Sequence, residues 1–354
     1  MAAPFKTFER RISVQKQQVA DVARVAPGRP QQVVAEVRIP AAVRAAAAVV
    51  VVAEVVGADV AVVAEAVVAA RQSKVTLGKS DLPRLGVGLG YRDAFRTDVF
   101  RNANQIDFLE ITADHFFDPK PESNELLKLL ASRFPLIPHG LGLSLGSADG
   151  LDRGYLNMLK RVVQTVQPAW WSEHISFCRV GGIDIGHLTA VPKTKATLKC
   201  LKENIRVATS EIETPLILEN ITQSIEYEND TFDEASFLGE MLDENNCGLL
   251  LDVTNLYINS INYRFDAVQV LNRLPRDRIV QLHFVGFDRE GDLLIDGHSH
   301  ATNLEIWQLL EEVVRYAPVC GAILERDEQL PPFSDILTEL AKMREIMNRD
   351  FVET

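Results

Sequence analysis

The sequence predicts a (β/α)8 TIM barrel preceded by an Ala/Val-rich N-terminal extension. Three observations predict it. Eight short apolar runs recur from Leu85 onward, each bounded by turn residues, as buried parallel strands are. They lie about 20 to 45 residues apart, which leaves room for a helical crossover each time. Nearly every run closes on or beside a residue type that binds metal, and a barrel gathers the C-terminal ends of its strands on one face.

Residues 85–89 read LGVGL; position 91 is Tyr where the third Gly of a dinucleotide-binding GxGxxG would stand, so that reading fails. Run 107–111 carries Glu110, and runs 135–139 and 169–174 end on His139 and His174. Runs 215–219, 248–252, 279–283 and 321–325 end on Glu219, Asp252, His283 and Glu325. An open doubly wound sheet is the competing arrangement, and the strand ends decide against it. A lone strand-end carboxylate is often a helix N-cap, and a lone His is often structural. Seven such endings in eight runs exceed what caps explain.

The chain has 354 residues, 47% hydrophobic and 24% charged, which is ordinary globular usage. A net charge of −12 argues against nucleic acid as a partner. Cys178, Cys200, Cys247 and Cys320 show no CxxC or metal-knuckle spacing, so free thiols in a cytoplasmic protein are expected. Residues 1–84 differ in texture: 22 of the 26 positions between Arg44 and Arg71 are Ala or Val. Glu54, Asp59 and Glu65 inside that stretch each cost roughly 2.5–3.5 kcal/mol in a bilayer, so no membrane span is expected. The extension reads as an oligomerisation or recruitment segment, the barrel as residues 85–346, and residues 347–354 as a C-terminal tail.

Strand-end carboxylates crowded into one mouth repel each other, and cations relieve that repulsion. The segment Asp296-Gly-His298-Ser-His300 follows the seventh run; alternate residues of an extended segment point one way, so all three are expected to face the mouth. His139, His174, His283 and His298 with Glu219, Asp252, Asp296 and Glu325 form an eight-ligand set, too many for one ion. Mixed N/O ligands suit iron, manganese or hydrolytic zinc. Two chemistries stay open on these residues: hydrolysis or isomerisation at a redox-inert centre, or oxidation at iron.

Eight phrases then carry a resemblance. They begin with LGVGLGYR at Leu85, HGLGLSLGS at His139, SEHISF at Ser172 and LEN at Leu218. They continue with LLDVTNLYINSIN at Leu250, QLHFVGF at Gln281, IDGHSHAT at Ile295 and LERD at Leu324. In this order they resemble the multinuclear non-heme iron-dependent oxidases, the family of the methanobactin-biosynthesis oxidase, over about three quarters of the chain. The resemblance implies a xylose isomerase-like barrel holding two or three iron ions, with dioxygen as cosubstrate. It implies a ribosomal precursor peptide as substrate, modified most often at Cys and otherwise at Asp or Asn, and a leader-binding partner protein or domain. It also implies that the eight residues above are iron ligands. Glu173, Asn255 and His300 are implied as auxiliary groups, and Arg326 as a charge that neutralises the acidic mouth. At the second run EITADHFF departs from the family's usual Glu-Asn pair, which bears on the substrate. A divalent-metal hydrolase or isomerase on the same barrel is the alternative.

Overall fold

The structure, a computed structural model, describes residues 82–118 and 120–349. The expectations placed on the extension through residue 81 and on the tail beyond 349 lie outside these residues.

The strands are β1 Gly86–Gly90, β2 Leu109–Thr112, β3 Leu136–His139, β4 Trp171–His174, β5 Ser176–Val180, β6 Ile183–Ala190, β7 Leu216–Glu219, β8 Gly248–Asp252, β9 Ile279–Phe284, β10 Gly286–Glu290, β11 Leu293–His300 and β12 Gly321–Leu324. Eight of them close into a barrel in the order β1-β12-β9-β8-β7-β4-β3-β2. Every pairing within it is parallel. Helices α1 Arg96–Arg101, α2 Pro121–Arg133, α3 Arg153–Val166, α4 Lys195–Glu211, α5 Glu234–Glu244, α6 Val253–Asn262, α7 Ala267–Leu271, α8 Leu304–Tyr316 and α9 Phe333–Met347 make the connections. Polar side chains start several of them: Asp152 caps α3, Thr194 caps α4, Asp233 caps α5 and Asp252 caps α6.

The period of two along each strand builds the interior in layers. Ile137, Ile217, Leu250 and Ile323 are fully buried in one cluster with Phe108 and Trp170. Each of these aliphatics stands two residues before His139, Glu219, Asp252 and Glu325 respectively. Burying each contributes about 1.5–3 kcal/mol. This apolar floor fixes the strands whose next inward residue is polar. A separate, larger apolar cluster lies between strands and helices and includes Leu89, Ile111, Leu218, Leu251 and Leu324.

Two antiparallel hairpins interrupt the β/α alternation, β5–β6 after β4 and β10–β11 after β9. They share one irregularity. Phe177 and Arg179 face Thr189 and Asp184, two residues along one strand against five along the other. Gly286 and Asp288 face His300 and Ile295 with the same count. Each hairpin therefore bulges its second strand, at 185–188 and at 296–299.

Candidate metal centre

His139 ends β3, His174 ends β4, Glu219 ends β7 and Asp252 ends β8, while Glu325 follows β12 directly. The barrel brings them together in three overlapping groups. In the first, His139 Nε2 and His174 Nε2 are 3.2 Å apart. Each lies 3.3 Å from Glu219 Oε2. In the second, His283 Nδ1 lies 3.3 Å from Glu219 Oε1 and 3.1 Å from Glu325 Oε2. Asp252 joins this group, with ligand atoms all within 4.8 Å of one another. In the third, the ligand atoms of His298, Glu325 and Asp327 lie within 4.8 Å of one another, and His298 Nε2 is 2.8 Å from Asp296 Oδ1 and 3.9 Å from Glu325 Oε2. Glu219 is thus common to the first two groups and Glu325 to the last two.

Outer contacts set the rings. His174 Nδ1 is 3.1 Å from the Gly140 carbonyl, which only accepts; Nδ1 therefore carries the proton and Nε2 is left to bind. His139 Nδ1 meets Ser172 Oγ at 2.8 Å. His283 Nε2 lies 2.8 Å from Glu110 Oε1. Glu110 Oε2 in turn accepts from Gln281 Nε2 at 2.6 Å, and Gln281 Oε1 accepts from Trp170 Nε1 at 2.8 Å. A polar chain thus runs from the apolar floor to the centre. His298 Nδ1 faces Asp327 Oδ2 at 3.3 Å, and Asp327 pairs with Arg92.

The electrostatics are those of a site short of positive charge. Burial opposes the charged form of His174, but Glu219 and Glu173 win and push its pKa up to about 9. Burial opposes His298 too, and Glu325 with Asp296 pushes it up to about 12. His283 rises well above the usual imidazole range against burial, through Glu110, Glu325 and Glu219. Burial, then Asp296 and Glu219, pushes Asp252 well above the usual carboxylate range. Glu325 falls well below that range despite burial, through His283 and His298.

The residues present fit metal ions on a separate ground. Glu219 Oε2, His283 Nδ1 and Asp296 Oδ1 are buried with only ion-pair contacts at 2.8–3.3 Å and no hydrogen bond of good geometry, and Asn255 Oδ1 is buried with no hydrogen bond. Each such atom costs about 1–3 kcal/mol unless something satisfies it. All belong to the groups above or to the cavity over them. That cavity has a volume of about 190 Å³, with Leu141, Leu188 and Ile221 as apolar wall and Arg92 and Asp327 on another side.

The remaining expected residues are placed differently. Glu173 is fully buried and accepts from the backbone N–H of Leu143 at 2.8 Å and of His174 at 2.6 Å. It braces the loop after β3, where a Cβ on Gly140 would stand 2.9 Å from Glu173 Oε1. Asn255 lines the cavity and donates Nδ2–H to the Asn220 carbonyl at 3.2 Å. Arg326 is buried beside Glu339 of α9, with Nη1 3.7 Å from Oε1, and does not line the cavity. His300 does not face the mouth: it is 52% exposed and pairs with Asp288. The alternation argument fails there because His298 adopts a left-handed φ of 48° within the bulge. Sequence reasoning passed over Asp327, Arg92 and Gln281 as site residues. Gln281 and Asp327 each stand two residues from a candidate ligand, the same period-two signal that marked Asp296 and His298.

A family model described as the RiPP precursor modification enzyme MbnB/TglH/ChrH matches residues 86–348. A UPF0276 protein of Caulobacter vibrioides is 35% identical over 257 residues, covering 72% of this chain and 91% of that protein. A UPF0276 protein of Chromobacterium violaceum is 33% identical over 260 residues, covering 73% and 94%. Among solved structures, the 3-keto-D-glucoside 4-epimerase YcjR of E. coli aligns with a TM-score of 0.49 at 14% identity, covering 74% of this chain and 99% of that one. Endonuclease IV of Thermus thermophilus aligns with a TM-score of 0.47 at 15% identity, covering 75% and 99%.

Proposed function

This chain belongs to the MbnB/TglH/ChrH family of RiPP precursor modification enzymes, and from that premise we propose that it is a multinuclear iron- and dioxygen-dependent oxidase of a ribosomally made precursor peptide. The residue modified is Cys first, with Asp or Asn as the other candidates. The observation that carries the proposal is the sharing of Glu219 and Glu325 among three N/O ligand groups. Two carboxylates placed so can each serve two cations, which suits a centre of two or three ions better than one.

His139, His174 and Glu219 would hold one ion. Glu219, Asp252, His283 and Glu325 would hold a second, and Asp296, His298 and Glu325 a third. Iron bound there supplies one-electron redox chemistry with dioxygen. The protein does the rest. The Gly140 carbonyl keeps the Nδ1 proton of His174 and so directs Nε2 inward. Glu110 does the same for His283 by taking its Nε2–H. Asp327, held by Arg92, orients His298 through Nδ1. Leu141, Leu188 and Ile221 limit water around a side chain entering the cavity. A leader-binding partner, or the extension itself, would deliver the peptide. Cys178, Cys200 and Cys247 are free thiols, which supports a reducing, cytoplasmic setting. Among the described residues no helix is long and apolar enough to cross a membrane.

The test is elemental analysis and Mössbauer spectroscopy on protein purified without oxygen, followed by oxygen uptake on adding peptides encoded beside the gene. Two or three coupled irons and peptide-dependent oxygen uptake are expected. Zinc or manganese with oxygen-indifferent turnover would transfer the assignment to a hydrolase or isomerase.

A further inference from the structure

The two hairpins differ in what covers their edges. In β10–β11 the Asn262 side chain closes the outer edge of β11. Its Oδ1 accepts from the Leu294 N–H at 3.0 Å and its Nδ2 donates to the Leu294 carbonyl at 2.9 Å, as a neighbouring strand would. Asn303 likewise accepts from the Phe287 N–H of β10 at 2.8 Å. In β5–β6, Ser144 Oγ accepts from the N–H groups of Cys178 and Arg179, so β5 is covered.

β6 has cover of this kind at its inner end, where the Tyr227 hydroxyl donates to the Ala190 carbonyl at 2.8 Å; among the described residues none comparable meets 185–188. β6 pairs with β5 alone, and 185–188 have no register partner even there. The side-chain hydrogen bonds that reach this stretch are local: Gly186 N–H to Asp184 Oδ1 at 2.8 Å, and His187 Nδ1 with the Leu188 carbonyl at 3.0 Å. Folded proteins generally block such an edge, because its free N–H and C=O groups invite another strand. The outer end of the hairpin also presents Val180 and Ile183 at 51% and 69% exposure. The inner part does not stop at the surface, since Leu188 is a wall of the cavity above the candidate metal groups.

We propose that β6 is the docking strand for the substrate peptide, which adds to its free edge in extended form and is led past Leu188 into the cavity. Main-chain hydrogen bonds give such binding its affinity while tolerating varied sequence, and alternate side chains give specificity. The occupant is a peptide because the unpaired main chain of 185–188 can take the main chain of another extended segment, and Leu188 in that stretch lines the cavity. Apolar residues of the peptide would lie against Val180 and Ile183 at the outer end. This inference rests on the reading of the chain as a peptide-modifying enzyme.

The experiment uses the iron-loaded full chain and a displayed library of short random peptides with one central cysteine. Backbone amide exchange is followed by mass spectrometry with and without the enriched peptides. Exchange across β6 is expected to slow on binding, while β10–β11 is unchanged. His187→Pro removes one main-chain N–H from the unpaired stretch 185–188 and is expected to weaken binding about five- to tenfold. His187→Ala keeps that N–H and is expected to hold affinity within about twofold. Unaltered metal content and melting temperature confirm that both variants fold. Bound peptides that leave β6 exchange untouched, or no enrichment at all, would overturn the docking strand. Peptides that protect β6 yet draw no oxygen uptake uphold the strand and sink the oxidase. Peptides that are oxidised without protecting β6 do the reverse.

Discussion

The β5–β6 and β10–β11 hairpins are built alike and used differently. Each follows a barrel strand that carries an inward His, His174 in one case and His283 in the other. Each sets five residues of its second strand against two of its first. The registers place Ile185-Gly186-His187 where the other hairpin has Asp296-Gly297-His298. In the second hairpin the bulge turns Asp296 and His298 to the centre, with His298 in the left-handed region. In the first, the positive φ falls on Gly186 instead, His187 is exposed, and Leu188 reaches the cavity. One backbone device therefore yields candidate ligands or a wall according to the residues it carries. An Asp at the first bulge position adds charge that burial makes costly without a cation, and an Ile there does not.

The largest effects are expected where that comparison is broken on the ligand side. His298→Ala and Asp296→Ala should each remove one metal equivalent per chain, measured by elemental analysis. Turnover should fall by more than ~100-fold, beyond the range of outer-contact changes. Loss of all metal at once would show that the three groups do not act as separate sites. Asp327→Asn is expected to be next in size. It leaves every proposed ligand in place but presents an amide to His298 Nδ1, so chelator competition should show about 10–100-fold weaker retention of one ion. Asp327→Glu should recover part of it. Retention as tight as wild type would remove Asp327 from any orienting role.

Acidity should act in the same direction on the whole centre. His174 holds a proton up to about 9, and metal must displace it. Metal uptake should therefore strengthen as pH rises from ~6.5 towards that value, by roughly tenfold per unit for each proton displaced. Titrating metal binding against pH checks the slope. A flat profile would mean that the ion does not use His174 Nε2.

The sequence was most informative where one residue serves two purposes. A strand-end candidate ligand marks both an element boundary and a candidate site, and β8 runs over 248–252 as expected because Asp252 ends the strand and caps α6. His139, His174 and Glu219 end their strands in the same way. Legibility was lost where a backbone irregularity changed direction. His300 could not be placed by alternation, because the bulge and the left-handed His298 rotate it outward. The β5–β6 hairpin had a signal that was not used, the Gly181-Gly182 turn between Val180 and Ile183. Glu110 was noted only as a strand-end residue, since its partners Gln281 and His283 sit on the far side of the sequence and meet it only once the barrel closes.

The smallest expected effect lies on the wall. Leu188 is half-buried, touches the cavity and belongs to no ligand group. Leu188→Ala removes apolar surface from the place where a substrate side chain would pack, and nothing from the metal groups. Lost contact of about 1 kcal/mol corresponds to roughly a fivefold rise in KM. Metal content should stay at the wild-type value, because the ligand atoms and their outer contacts are untouched. His298→Ala should do the opposite and lose metal before it alters peptide affinity. The pair thus separates the two uses of the same bulge. If Leu188→Ala lost metal as well, the first hairpin would be supporting the centre and not only walling it. The distinction between a ligand hairpin and a wall hairpin would then collapse.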